Sequence, residues 1–290
     1  MNKKSFIYII AAGILWATSG IFVKAMTPYG FSPLQITALR GLISFLCIAV
    51  YTLIRDRKKF IIRRGELILY VFSGLSMFGT AGFYFLAMQM TSISTAVVLM
   101  YTAPILVMIF SVSFLGERFS LGKLISIISV SIGCCLVSGI IGDLKINVLG
   151  IAIGLLSGIS YAAYNIFTRI EMQKGYSPLS STLYGSLFMS VIAICVSNPA
   201  EIVTITASDP IEILPLIIAL GVVTFVLPYL LYSAALRDIP AGTASSLAII
   251  EPMTATLFGI IIYHEPIDLF SGVGVVMILL AIVILSREKE

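Results

Sequence analysis

Long apolar runs separated by short polar stretches fill the chain from about residue 5 to residue 286. A helix that crosses a bilayer needs about 20 mostly apolar residues. Ten runs fit: 5–26, 33–54, 66–90, 92–115, 120–140, 147–170, 178–197, 211–236, 241–263 and 268–286. Only 55–65 and 198–210 have any length as connections, so no separate soluble domain fits. The pattern predicts an all-α integral membrane protein with ten transmembrane helices.

Polar and aromatic punctuation recurs at fixed offsets. Ser32-Pro33-Leu34 returns 145 residues on as Ser177-Pro178-Leu179. At that offset Trp16 falls on Tyr161, Phe22 on Phe167, Lys24 on Arg169 and Thr37 on Thr182. Later in each half the offset becomes 148: Tyr84 falls on Tyr232, Thr95 on Thr243, Pro104 on Pro252 and Glu117 on Glu265. The chain therefore reads as two copies of one five-helix unit, 1–145 and 146–290. An odd number of crossings turns the second copy upside down, the inverted-repeat condition associated with alternating access.

Charge sets the direction. Lys and Arg accumulate on the cytoplasmic side of membrane proteins. With the N-terminus inside, the inner segments hold Lys3, Lys4, Arg55, Arg57, Lys58, Lys59, Arg63, Arg64, Arg118, Lys123, Arg169, Lys174, Arg237, Arg287 and Lys289, which is 15 of the 18 cations. Lys24 and Lys145 fall outside and Arg40 lies within a helix. Both termini are expected in the cytoplasm, in a cytoplasmic (inner) membrane. The N-terminal stretch has the outline of a signal peptide, but it stays apolar through Ala25 and has a counterpart in mid-chain, so it reads as the first span.

Composition agrees with the pattern. Of 290 residues 59% are hydrophobic and 11% charged, against about 25% charged in soluble domains. The net charge of +4 follows from topology and needs no nucleic acid or other anionic partner. Cys47, Cys134, Cys135 and Cys195 all lie in apolar runs without a C-x-x-C spacing, which suits buried small hydrophobes and gives a metal site no support. There is no phosphate-binding G-x-x-x-x-G-K-[ST] loop, no H-E-x-x-H and no G-x-S-x-G. Direct ATP drive and hydrolytic enzymes are unsupported, and no cofactor is implied.

Glu251 is the strongest chemical candidate. It lies in mid-run, where an ionisable group is expensive and faces a cavity or a partner. Such a carboxyl suits a cationic solute or a shuttled proton; the rival role is a protonated hydrogen bond between helices. Pro252 lacks an N–H, so the Ala248 carbonyl is expected to lose its donor and the helix to kink. The equivalent Pro104 follows Ala103, so only one half carries the carboxyl. Trp16, Tyr84, Tyr101, Tyr161, Tyr164 and Tyr232, with Asn165 beside them, are candidate cavity walls through stacking and cation–π contact; packing or an interfacial belt is the competing role. Arg40 reads as a snorkelling, structural cation. Lys24 with Glu265 outside, and Arg169 with Glu117 inside, form two candidate gates exchanged by the repeat. The rival reading gives each Glu to water or to capping the helix that follows. Gly150, Gly154 and Gly158 recur every four residues, a spacing that lets helices approach closely.

These features together resemble the EamA-type transporters of the drug/metabolite transporter superfamily. The resemblance runs through Leu15-Trp16-Ala17, Ala38-Leu39-Arg40, Thr102-Ala103-Pro104 with Leu115-Gly116-Glu117, and Glu251-Pro252 with His264-Glu265. It implies ten helices in two inverted halves around a central cavity, and the export of small metabolites or toxic compounds. The expected function is secondary active transport of a small organic solute (cationic, aromatic or amino-acid-like) across the lipid bilayer, with protons as a coupling partner through Glu251. An intramembrane enzyme and a passive channel are the alternatives.

Overall fold

The computed structural model describes residues 2–55, 57–62, 64–91, 93–118, 120–137, 147–264 and 269–287. Among them every regular element is helical. Helices α1 (Lys3–Ala17) and α2 (Ser19–Met26) make the first apolar run, followed by α3 (Pro33–Arg55) and α4 (Arg64–Met90). Next come α5 (Ile93–Met100), α6 (Ala103–Phe114) and α7 (Leu121–Val137). The second half holds α8 (Val148–Gln173), α9 (Pro178–Val196), α10 (Pro199–Ser208), α11 (Pro210–Gly221), α12 (Leu227–Ala235), α13 (Ala241–Leu247), α14 (Ile250–Tyr263) and α15 (Leu269–Arg287).

The repeated Ser-Pro-Leu tripeptide has a local cause. Ser32 and Ser177 precede the first turns of α3 and α9, and Pro33 and Pro178 open those helices, where a missing N–H costs nothing. The Ser32 hydroxyl accepts from the Gln35 N–H at 3.3 Å while the Gln35 side chain accepts from the Ser32 N–H at 2.8 Å. That is a reciprocal capping box. Ser177 accepts from the Leu179 N–H.

Eight helical stretches among the described residues are long and apolar enough to cross a membrane: Lys3–Tyr29, Pro33–Arg55, Gly65–Met90, Thr95–Phe114, Val148–Gln173, Pro178–Val196, Pro210–Ala235 and Ala241–Tyr263. Two shorter apolar helices, Leu121–Leu136 and Gly272–Leu285, stand where the fifth and tenth runs were expected. Ile54, Phe114, Ile211 and Leu269 are fully on the outside, an apolar coat that a water-soluble protein rarely shows. The protein is a multi-pass membrane protein. One expected connection is instead a helix: α10 fills most of 198–210 because Pro199 opens a turn and Asn198, at φ 53°, supplies the left-handed residue before it.

Four apolar runs are broken. Thr18 separates α1 from α2, its hydroxyl bonding the Leu15 carbonyl at 2.6 Å. Tyr101 and Thr102 separate α5 from α6, and Ala248 and Ile249 separate α13 from α14. These last two breaks are repeat equivalents just before Pro104 and Pro252. The fourth is a π turn, Val222–Val226, between α11 and α12. The Leu227 N–H donates to the Val222 carbonyl there, immediately before Pro228, which has no N–H to continue an α ladder.

The halves pack reciprocally. Gly13 of α1 sits against the α13–α14 break, and its repeat equivalent Gly158 of α8 sits against the α5–α6 break. A Cβ on Gly13 would collide with Ile250 and lie 3.4 Å from the Ala248 carbonyl oxygen; one on Gly158 would lie 2.8 Å from that of Leu99 and 3.3 Å from that of Met100. Met100 and Ala248 are themselves equivalents at offset 148. Likewise Gly74 presses on Gly185 and Phe188, while Gly221 presses on Arg40 and Ile43. α7 packs on α15, with the Ser129 hydroxyl bonding the carbonyl of its own equivalent, Met277. The two equivalent breaks, α5–α6 and α13–α14, are thus each braced by the first helix of the other half.

Candidate functional site

The two equivalent breaks meet at Glu251. It is the second residue of α14, directly after the Ala248–Ile249 break, rather than the middle of a continuous helix. It lies in the first turn of α14, where the helix dipole favours negative charge by about 0.3–1 kcal/mol. The Ala248 carbonyl, expected to be free, accepts the Glu251 N–H at 3.0 Å. The break tightens into a 3₁₀-like turn that recovers the bond Pro252 removes.

Glu251 is partly exposed, and the hydroxyl of Tyr101, at the break of the other half, is its side-chain neighbour. Beside this group is an aromatic wall. Trp16 lies 5.2 Å from both Tyr229 and Tyr232, centroid to centroid, and Tyr164 lies 5.4 Å from Tyr229 and 6.4 Å from Tyr232. Phe225 stacks on Tyr229 at 4.1 Å. Trp16, Tyr101, Tyr161, Tyr164 and Tyr232 fall in one packed cluster, whereas the ring contact of Tyr84 is with Phe85. Asn165 takes a supporting position: its amide donates to the Tyr161 carbonyl at 2.7 Å and its side-chain oxygen accepts from the Tyr232 hydroxyl. Both ends of that amide are used in holding the wall.

The Trp16 Nε1 is buried without a hydrogen-bond partner. Indole is a donor only, and a buried donor left unpaired carries a desolvation cost of about 1–3 kcal/mol. Arg40 is in the same condition. Its guanidinium carbon lies 5.9 Å from the Phe225 ring centroid, and its Nε is buried without a hydrogen-bond partner. The side chain as a whole is partly exposed.

At one end of the bundle Arg169 and Glu117 come together. Arg169 Nε is 3.9 Å from Glu117 Oε1, with side chains only 12% and 7% exposed. Arg169 also donates to the carbonyls of Leu236 and Arg237, the latter at 3.1 Å. Glu117 accepts from the N–H groups of Ala241 at 2.7 Å and Gly242 at 3.4 Å. Glu117 thus caps α13 of the other half, and Ser120 caps its own following helix through the Lys123 N–H. Lys24, the repeat equivalent of Arg169, is exposed, with its ammonium 3.6 Å from the Tyr263 ring centroid. Glu265 lies outside the described residues.

The EamA-like transporter family profile matches residues 3–139 and again 148–287. The chain belongs to the EamA-like transporter family. It is 29% identical to an uncharacterized transporter of Archaeoglobus fulgidus over 97% of this chain and 95% of that protein. It is 23% identical to the uncharacterized transporter YwfM of Bacillus subtilis over 98% and 94%. The threonine/homoserine exporter RhtA of Salmonella typhimurium is 28% identical over 67% of this chain and 63% of that protein. One solved crystal structure superposes with a TM-score of 0.78 at 16% identity over 99% of both chains, a likeness of fold alone. The two profile matches are the two EamA-like repeats, and the role in common is membrane transport.

Three residues of this EamA-like chain, Phe225, Tyr229 and Glu171, escaped the sequence reading, and a fourth, Arg40, was read there only as a snorkelling, structural cation. Phe225 and Tyr229 have Met77 and Ala81 as their equivalents at offset 148, so the repeat hid them, and the π turn that places them shows only in the structure. Glu171, between Arg169 and Lys174, drew no reading from the sequence. It is 0% exposed and accepts from Ser73 at 2.6 Å and from Ser181.

Proposed function

We propose that this protein is a secondary active transporter that moves a small organic solute (cationic, aromatic or amino-acid-like) out across the cytoplasmic membrane by alternating access. The supporting observation is the asymmetric site itself. A symmetric scaffold of two packed repeats carries a single carboxyl, Glu251, at one helix break, bonded by Tyr101 from the equivalent break and walled by Trp16 and three tyrosines. In this reading ten helices cross the bilayer as two inverted five-helix halves, with both termini in the cytoplasm. RhtA, named as an exporter of threonine and homoserine, supports both the direction and a solute of that size.

Glu251 binds the cationic group of the solute or the coupling proton. The Arg169–Glu117 contact closes the cytoplasmic end, and Lys24 with Glu265 closes the outer end in the opposite state. The decisive measurement is flux in proteoliposomes with an imposed pH gradient. Glu251→Gln keeps the side chain's size and hydrogen-bonding reach but removes its proton, so gradient-driven uphill flux disappears. Unaltered gradient-driven flux in that variant rejects the coupling role. Saturable counterflow separates a carrier from a channel.

A further inference from the structure

We propose that Glu171 is a second proton-binding site, set in the seam where α4, α8 and α9 meet, and that a proton taken up there loosens α8 from its two neighbours. The site stands apart from Glu251 and does not depend on what the central site carries. Glu171 follows Tyr161 by ten residues along α8, roughly 15 Å at 1.5 Å per residue.

The seam holds a carboxyl by hydroxyls alone. Glu171 is fully buried. One of its oxygens accepts from the Ser73 hydroxyl of α4 at 2.6 Å, and the other accepts from the Ser181 hydroxyl of α9. Among the described residues no cation pairs with it. Its neighbour Arg169 is taken up by Glu117 and by the carbonyls of Leu236 and Arg237. An ionisable group buried inside a membrane protein is expensive and marks function by default. Hydroxyls suit both charge states of a carboxyl, because each can donate to the carboxylate or accept from the acid. A helical serine that lets go can turn to a carbonyl one turn back in its own helix, which for Ser181 is that of Ser177. The ionised form receives two charge-assisted bonds from two other helices, and such bonds are roughly twice as strong as neutral ones. A proton makes both neutral and frees one serine to turn away.

The fold does not itself require these groups. The repeat builds the same seam a second time, with Met26 in the place of Glu171, Ile36 in that of Ser181 and Leu220 in that of Ser73. Ser73 precedes Gly74 as Leu220 precedes Gly221, and those glycines make equivalent contacts: Gly74 with Gly185 and Phe188, Gly221 with Arg40 and Ile43. Met26, Ile36 and Leu220 are buried together in one apolar cluster. One copy of the seam therefore closes with apolar side chains, while the other carries a carboxyl and two hydroxyls.

The other ionisable groups around Glu171 are mostly phenols. Glu66 and Tyr70 share a stripe of α4 with Ser73. Tyr184 lies one turn beyond Ser181, and the Tyr176 N–H donates to the Glu171 carbonyl at 2.9 Å. The Tyr70 ring lies 5.1 Å from that of Tyr184 and 5.8 Å from that of Tyr176. Arg237, beyond α12, donates to the Tyr176 carbonyl at 3.2 Å, and Lys174 is exposed past the end of α8. α12 brings Tyr229 and Tyr232 to the aromatic wall instead. α5, α6 and α13 also pack on α8 and carry no ionisable side chain.

The test follows the carboxyl directly. Purified full-length protein in liposomes is titrated with pH while infrared difference spectra record the carboxylic-acid and carboxylate bands. The expected result is a reversible titration that disappears in Glu171→Gln and remains in Glu251→Gln. Ser181→Ala keeps the carboxyl and moves the midpoint to higher pH by about one unit, since the lost hydroxyl served the ionised form. Trp16 is the chain's one tryptophan and packs on Tyr232, whose hydroxyl is bonded to Asn165 of α8. Its fluorescence in a Glu251→Gln background should follow the same midpoint. The combined change Glu171→Met, Ser73→Leu and Ser181→Ile installs the apolar seam of the other half, and it should leave the protein folded while removing both signals. No band lost in Glu171→Gln, a midpoint unmoved in Ser181→Ala, or a Trp16 signal that does not follow the band overturns the proposal. Any of these leaves the transport reading standing, because flux is not the readout.

Discussion

Glu251 and Asn165 show how differently two polar residues act in one cluster. Glu251 keeps part of its surface accessible, whereas Asn165 is buried and spends both ends of its amide on Tyr161 and Tyr232. Asn165→Ala therefore strands the Tyr232 hydroxyl, at a cost of about 1–3 kcal/mol. Thermal unfolding in detergent should show it as a loss of stability, and Tyr232→Phe in the same background should restore most of that loss. Glu171 offers a parallel case. Its carboxyl ties α4, α8 and α9 through Ser73 and Ser181, so Ser181→Ala costs about 1–3 kcal/mol in the same assay, with the flux preference for solutes unchanged. At this scale the sequence revealed the residues that stand out by type and depth: Glu251, Trp16 and the tyrosines of the repeat. Arg40 read only as a snorkelling cation and Glu171 drew no reading, because nothing in the pattern of an apolar run tells which partners a charge will meet. Only the packing of α3 on the π turn, and of α9 against α8, turns them inward.

Among the elements, the broken helices matter most. The prolines at 104 and 252 announced the breaks, and the equal offset announced that they were a pair. Their exact form depended on tertiary contacts, since each break lies under a glycine of the opposite half. Gly158→Leu forces a side chain onto the Leu99 carbonyl, where even a Cβ would lie 2.8 Å away. Overpacking of this kind costs about 1–3 kcal/mol or more. Gly20 has nothing within 4 Å of an added Cβ, so Gly20→Ala should leave the melting temperature unchanged or raise it slightly. Equal melting temperatures for Gly158→Leu and the parent protein would remove the claim that α8 and the α5–α6 break are in close register. The π turn at Val222–Val226 was not legible, because Pro215 and Pro228 both lie in that run and either could have broken it.

For the whole molecule, one end is tied closely. The Arg169–Glu117 end is held by an ion pair and by four backbone groups between Leu236 and Gly242. If the halves alternate, the tied end must release when the other closes, so weakening the tie shifts the population toward closure on the Lys24 side. Charge exchange between positions 117 and 169 is a poor probe, because an arginine at 117 cannot accept from the α13 N–H groups that Glu117 serves. Glu117→Gln is the better change: its amide oxygen still accepts from Ala241, and only the charge is lost. A partly buried pair of this kind is worth about 1 kcal/mol, which is roughly a fivefold change in the balance of states. A cysteine at position 20, in a background without the native cysteines, sits exposed at the start of α2 on the helix that carries Lys24 and reports accessibility there. Its labelling by a membrane-impermeant maleimide should slow about fivefold when Glu117→Gln is added. An unchanged rate would mean that the Glu117–Arg169 tie is a fixed brace between the halves, and the gate would have to be sought elsewhere.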